Sequence, residues 1–178
     1  MKSALRLSRA ARRAISAAVL LLGAAAAPSR AEAPPAGLSL LDGSDVGSIL
    51  EIARQFGSAE RSQDYAGNPM LRGRAGGLFY LVVFQDCYRG PCGSMQMRSS
   101  WLGDRESVPS PEALATWNLL SRFCKASLFG SSTMLMMDVS LTGGVSRRNV
   151  ESNFDLWTSC LKSFETQVIV SGAGTWRI

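Results

Sequence analysis

The most distinct hydrophobic pattern in the chain is an unbroken apolar run at residues 78–84, followed by a segment of alternating polarity at residues 94–101. The run is rich in β-branched and aromatic residues and follows the pair Gly76-Gly77, so it predicts a buried strand rather than a helix. The alternating segment predicts a second strand, because successive side chains of a strand point to opposite faces. One face of that strand carries Met95, Met97 and Trp101, and the other carries Gln96, Arg98 and Ser100.

A short loop joins these two strands, and Cys87 and Cys92 bracket it. Gly90-Pro91 is a strong turn signal. In an antiparallel hairpin with a four-residue loop the two cysteines face each other, with Cβ atoms about 4.5–5.5 Å apart. That distance is slightly wider than the roughly 3.5–4.5 Å of a disulfide, so a modest local adjustment closes the bond. We therefore predict a disulfide between Cys87 and Cys92.

Helical periodicity predicts three helices, at residues 44–56, from Ser110 or Pro111 onward, and after Ser146. The last helix has the clearest apolar stripe, which consists of Val150, Phe154, Trp157, Leu161 and Phe164. The inner face of the second helix consists of Leu114 and Trp117 with either Leu120 or Ser121.

Two further hairpins are predicted on either side of the second helix. The first pairs residues 60–65 with 70–74, and the second pairs residues 123–129 with 133–141. The predicted order is therefore α-β-β-β-β-α-β-β-α. This order is typical of an α+β fold, in which an antiparallel sheet carries helices on one face.

The beginning of the chain has the layout of a secretory signal peptide, with a basic start, an apolar core and small residues up to Ala31. The apolar core of about 14 residues is shorter than the roughly 20 that a membrane-spanning helix needs. We expect cleavage after Ala31, although an uncleaved anchor remains the alternative. The predicted organisation is a signal peptide at 1–31, a flexible segment at 32–43, a domain at 44–166 and a tail at 167–178. It predicts a periplasmic or secreted protein with no stable membrane insertion after cleavage.

Removal of the signal peptide changes the charge balance. The whole chain has 19 basic and 14 acidic residues, and six of the basic residues and none of the acidic ones lie within residues 1–31. The remaining chain has 13 basic and 14 acidic residues, a net charge of −1. The basic isoelectric point thus belongs to the export signal and gives no support for nucleic-acid binding.

Two more cysteines, Cys124 and Cys160, lie in the exported part of the chain. An oxidising compartment favours disulfides over zinc thiolates, and a zinc site would need two tight cysteine pairs where the sequence has only one short pair. Four cysteines allow three connectivities, which the sequence cannot separate. Cys124 and Cys160 are therefore either free thiols in the core or joined to each other.

Several short motifs in this order resemble the YbjN family. They are Gly67-Asn68-Pro69, the strand at 78–84 with Cys87 and Cys92, residues 115–118, Arg122-Phe123, residues 137–139 and residues 141–146. The more specific ones are Trp117-Asn118 and the Gly-Gly-Val-Ser stretch at 143–146. The resemblance implies a fold similar to type III secretion chaperones and a role as a bacterial sensory-transduction regulator. It implies no reaction, because the family has no established active site.

The residues themselves also argue against an enzyme. The chain has no histidine, which excludes Ser-His-Asp and Cys-His nucleophiles and histidine metal sites. No phosphate-binding loop or dinucleotide fingerprint is present, and we expect no cofactor. The carboxylates are scattered along the chain, at positions that include Glu51, Glu112, Asp138 and Asp155. A carboxylate enzyme of unrecognised type and a structural envelope component remain the alternatives.

The function that the sequence favours is reversible protein binding. Helices on one face of an antiparallel sheet leave its other face available. Gln96, Arg98 and Ser100 would give that face a polar contact surface, and Met134 and Met136 would add an adaptable apolar centre if they share it. The sequence does not identify the protein partner, and a homodimer also remains open.

Overall fold

The computed structural model describes residues 39–88, 90–103 and 108–170. Its strands are β1 Leu40–Leu41, β2 Ser58–Gln63, β3 Pro69–Ala75, β4 Leu78–Gln85, β5 Ser94–Leu102, β6 Lys125–Phe129, β7 Ser132–Ser140 and β8 Val145–Ser146. Its α-helices are α1 Val46–Gln55, α2 Pro111–Leu120 and α3 Arg147–Phe164, and a π-helical turn at Glu165–Val170 follows α3. The predicted signal peptide lies outside the described residues.

Six strands form one antiparallel sheet in the order β2-β3-β4-β5-β7-β6, and β1 pairs with β8 separately. The predicted α+β class and the order of the main elements are confirmed. The strand order is not sequential, because the chain leaves β5 through α2 and returns along β6 before β7 pairs with β5. This crossover sets which side chains become neighbours on the sheet.

The three helices share one hydrophobic core with one face of the sheet. All five residues of the predicted α3 stripe are buried, and Ser146 begins that helix by accepting a hydrogen bond from the backbone N–H of Asn149 at 3.1 Å. In α2, Leu114 and Trp117 are buried, but Leu120 is 60% exposed. Leu120 is thus wrong as an inner-face residue. The helix ends there, since Ser121 has an extended backbone.

Both ends predicted to be irregular are partly ordered. Within the segment 32–43, which we expected to be flexible, Leu40 and Leu41 pair with β8, and Leu41 is buried. A glycine allows this approach, because a Cβ at Gly144 would lie 2.8 Å from the Leu40 Cβ. The first part of the predicted tail forms the π-helical turn, which buries Val168 against the core. Residues 32–38 and 171–178 lie outside the described residues.

Two disulfides hold the fold. The predicted bond between Cys87 and Cys92 is confirmed, and Cys124 and Cys160 are joined to each other. The second bond fastens the residue before β6 to α3, and so links an outer strand of the sheet to the helix layer. Two disulfides in one domain are typical of an oxidising compartment. Among the described residues, no helix combines the length and apolar character needed to cross a membrane.

Candidate functional site

The face of the six-stranded sheet that points away from the helices is the candidate functional site, and we call it the open face. None of the described helices packs on it, because α1, α2 and α3 all belong to the core on the other side. The strand register places the five residues of the predicted partner surface on it together. Arg98 lies opposite Met136, Ser100 lies opposite Met134, and Gln96 lies opposite Asp138.

The open face also carries apolar side chains that the sequence did not assign to it. In β4, Tyr80, Val82 and Phe84 point into the core and are almost fully buried. The alternate residues, Phe79, Leu81 and Val83, point to the open face, and Phe79 is 42% exposed. The predicted strand is confirmed, and even Val83 on the open face is buried. Phe79 is the exception, because the described helices cover only the other face of the sheet.

The resulting surface has a polar strip between two apolar ones. Leu81 lies opposite Arg98 and Val83 lies opposite Gln96, so the apolar side chains of β4 flank the polar side chains of β5. On the other side of β5, Met136 lies opposite Arg98 and Met134 lies opposite Ser100, while the charged Asp138 lies opposite Gln96. Methionine adapts its shape to what it contacts. This arrangement suits a contact that combines apolar burial with a few directed polar bonds.

Arg98 carries an unsatisfied donor on the open face. Its Nε is buried and has no hydrogen-bond partner within the described structure. Both residues directly opposite it, Leu81 and Met136, are apolar. A buried donor without an acceptor costs about 1–3 kcal/mol, and more when the group is charged.

The nearby carboxylates have other partners. Gln96 donates a hydrogen bond from Nε2 to Asp138 Oδ1 at 2.9 Å. Arg72 lies across Leu81 from Arg98, and its Nε is 3.8 Å from Glu60 Oε1. No carboxylate of the described residues comes within ion-pair distance of the Arg98 guanidinium. The open face therefore presents a guanidinium that no acidic group of the described chain neutralises.

A shallow depression of about 930 Å³ lies beside Arg98, above β3 and β4. Its lining includes the apolar side chains of Met70 and Leu81 and the charged side chains of Arg72 and Asp86, and the turn between β2 and β3 contributes Asp64 and Asn68. Hydrogen bonds close that turn: Asp64 accepts from the Asn68 side chain at 3.0 Å and from the backbone N–H of Asn68 at 2.8 Å. The hydrogen bond from the Asn68 side chain holds the pKa of Asp64 below its ordinary value.

The structure does not bring the carboxylates considered as catalytic candidates together. Glu51 lies on α1, Glu112 on α2 and Asp155 on α3, while Asp138 lies on the open face. In the part of the chain that the structure describes, no group of three cysteine or acidic residues could hold a metal ion. The candidate binding group on the open face is therefore a cation, Arg98, rather than a pair of carboxylates.

Side chains of α2 hydrogen-bond to the backbone of the edge strand β6 and of the residue before it. Asn118 Nδ2 donates to the Ala126 carbonyl oxygen at 2.8 Å, and the Ala126 backbone N–H donates to Asn118 Oδ1 at 2.7 Å. Trp117 Nε1 donates to the Cys124 carbonyl oxygen at 3.1 Å. These bonds satisfy backbone groups that an edge strand otherwise leaves unpaired. Asn118 is thus a structural residue, and the open face is the better candidate for a contact.

Comparisons with known proteins place the chain in a family. None of the curated proteins compared with it matches. The crystal structure of YbjN from E. coli, described as a "putative transcription regulator", is similar at 12% sequence identity and a TM-score of 0.43, over 74% of this chain and 98% of that one. The family model named YbjN, described as "Putative bacterial sensory transduction regulator", matches residues 45–169. As the motifs at 67–69, 115–118 and 141–146 predicted, this chain belongs to the YbjN family.

Proposed function

We propose that this protein is an exported, non-enzymatic binding module whose open face binds another protein, in a chaperone-like or regulatory role. The basic and apolar start of the chain supports export, as do the two disulfides. The absence of histidine from the sequence and the separation of the candidate carboxylates support a role without catalysis. The family description of a sensory transduction regulator agrees with binding as the primary activity.

The observation that carries this proposal is the apolar strip of Phe79, Leu81 and Val83 on a sheet face on which none of the described helices packs. Phe79 is exposed, Leu81 is half-buried and Val83 is buried within this face. When one face of an antiparallel sheet is solvated, each strand normally alternates between apolar residues on the core side and polar residues on the solvent side. In β4 the residues at 78–84 are apolar on both sides. Exposed apolar area of this kind gains about 25 cal/mol per Å² when a partner removes it from water. A partner that covers β4 and β7 would therefore gain affinity from residues that contribute little to the core.

The polar strip favours a reversible complex over an obligate one. Obligate interfaces resemble a domain core that has been cut in half, while the open face carries Gln96, Arg98 and Ser100 at its centre. The protein itself remains well packed without a partner, because its core lies on the helix side. We therefore propose a reversible complex in which both proteins are folded or partly folded on their own.

Site-specific photo-crosslinking in the periplasm tests this proposal. A photoreactive phenylalanine analogue replaces Phe79 on the open face or, as the control, Leu119 on the helix side, which is 84% exposed. We expect a crosslinked protein adduct from position 79 and none from position 119. Equal adducts from both positions, or none from position 79, would contradict binding by the open face.

A further inference from the structure

We propose that the segment bound by the open face carries a carboxylate, which Arg98 binds, and apolar side chains, which lie on the strips of β4 and β7. This inference rests on the proposed function and specifies the chemistry of its partner. The occupant is an extended stretch of another polypeptide with one aspartate or glutamate next to hydrophobic residues. The depression beside Arg98 is the position of the acidic residue.

The first argument is the state of Arg98 within the described structure. Its Nε is buried with no acceptor, and its cross-strand neighbours Leu81 and Met136 can supply none. The guanidinium group has five N–H donors in a planar fork that matches the two oxygens of a carboxylate. An incoming carboxylate would therefore satisfy a donor that has no partner among the described residues.

The second argument is that the acids of the open face already have partners of their own. Asp138 accepts from Gln96, and Glu60 lies near Arg72. Asp64 and Asp86 also line the depression, where they accept from the side chains of Asn68 and Ser94. None of these four carboxylates forms an ion pair with Arg98. The Arg72–Glu60 pair is 3.8 Å apart with both side chains half exposed or more, and such a pair contributes little stability. Arg72 can therefore turn toward an anion in the depression at small cost and add a second positive charge.

The third argument separates a polypeptide from a small anion. Arg98 is flanked on both sides by apolar residues, Leu81 on β4 and Met136 on β7. A free inorganic anion would gain nothing from these apolar side chains and would have to lose part of its hydration. A peptide carboxylate arrives with neighbouring side chains that cover both apolar strips. The same surface thus favours an acidic residue within an apolar segment.

A peptide selection tests the inference on the full mature protein. A library of random displayed peptides is selected on the wild type, on Arg98→Gln and on the control Arg148→Gln, which removes one exposed positive charge from α3. We expect the wild type and the control to enrich peptides with an aspartate or glutamate between apolar residues. On Arg98→Gln we expect the apolar preference to persist and the acidic preference to disappear.

Titration of one enriched peptide and its acid-to-amide analogue completes the test. Hydrogen bonds to charged groups contribute about 1.5–3 kcal/mol, so the amide analogue should bind the wild type about 10- to 100-fold more weakly. On Arg98→Gln the two peptides should bind equally. Equal binding of both peptides to the wild type, or no enriched peptide at all, would overturn the inference that Arg98 binds a carboxylate of the partner. A dimer that dissociates in Arg98→Gln would instead assign the open face to a second copy of the chain. In each of these cases the crosslinking from position 79 still decides the proposed function separately.

Discussion

Gly73 on β3 lies directly opposite Tyr80 on β4, and the Tyr80 ring occupies the space where a side chain at position 73 would lie. A Cβ added at Gly73 would be 2.4 Å from the Tyr80 Cζ. Tyr80 cannot move aside easily, because its ring meets those of Phe154 and Trp157 edge-on, each with centroids 6.5 Å away. This contact fixes the position of β3 and β4 against α3, and therefore the orientation of the open face.

Gly73→Ala should destabilise the protein by about 1–3 kcal/mol, the usual cost of an overpacked core. The matched control is Gly47→Ala in α1, where a Cβ would meet nothing within 4 Å and where alanine favours the helix. Chemical denaturation of both variants provides the measurement. An equal stability of Gly73→Ala and Gly47→Ala would show that the Tyr80 ring has room to move.

Tyr80 should also make the protein sensitive to alkaline pH. Its hydroxyl is buried without a hydrogen-bond partner among the described residues, and burial raises the pKa of Tyr80 to about 12 from an ordinary value of 10.0. The unfolded chain loses this proton at lower pH than the folded one, so the stabilising effect is complete below pH 10 and is lost as the pH rises toward 12. The difference corresponds to about 3 kcal/mol.

Denaturation of the wild type and of Tyr80→Phe at several pH values between 9 and 12 measures this effect. The wild type should lose more stability than the variant across that interval, because phenylalanine does not ionise. Tyr65 and Tyr88 are exposed in both proteins and provide the common background. Parallel stability curves for the two proteins would contradict a buried, neutral Tyr80.

The two disulfides should differ in their contribution to stability. The Cys124–Cys160 bond joins residues 36 positions apart, whereas Cys87–Cys92 joins residues five positions apart. In the chain-entropy description the longer loop stabilises by about 4 kcal/mol and the shorter by about 2 kcal/mol. The Cys124→Ala/Cys160→Ala double variant should therefore melt at a lower temperature than Cys87→Ala/Cys92→Ala. The reverse order would indicate that the Cys87–Cys92 hairpin, rather than the link between β6 and α3, limits unfolding.

Arg98→Met should raise stability rather than lower it. Methionine has a similar length, would pack between Leu81 and Met136, and removes a donor that has no acceptor among the described residues. An unsatisfied buried group costs about 1–3 kcal/mol, so we expect a gain of about 1 kcal/mol. Thermal unfolding measures it, with Arg148→Met as the control on the exposed side of α3. A loss of stability would show that Arg98 has a structural role, which would weaken its assignment to a partner.

Much of this architecture follows from local patterns. The α3 stripe has helical spacing, and the alternation of β5 places Gln96, Arg98 and Ser100 on the face opposite Met95 and Met97. The interpretation of Cys87 and Cys92 needed only the hairpin register between them. These features depend on residues that are close in the sequence. Within one helix or strand, the number of residues between two side chains determines whether they lie on the same face.

The composition of the open face was harder to predict for two physical reasons. The apolar run in β4 has no alternation, so its pattern contains no information about which side chains face the core. The signal that identifies Phe79 and Leu81 is the combination of that run with a sheet whose described helices all pack on one side. The position of Met136 opposite Arg98 further requires that β7 rather than β6 pairs with β5, a long-range pairing that local periodicity does not encode.

The central claim is that the open face binds another protein. The affinity of the partner captured at position 79 measures this most directly. It should be determined by titration for the wild type, for Arg98→Glu and for Arg148→Glu, with the melting temperature of each variant as the check on folding. Binding by the open face predicts that Arg98→Glu weakens the complex about 10-fold or more, while Arg148→Glu binds as the wild type does. Equal affinity of the wild type and a folded Arg98→Glu variant would contradict the assignment of this face as the binding site.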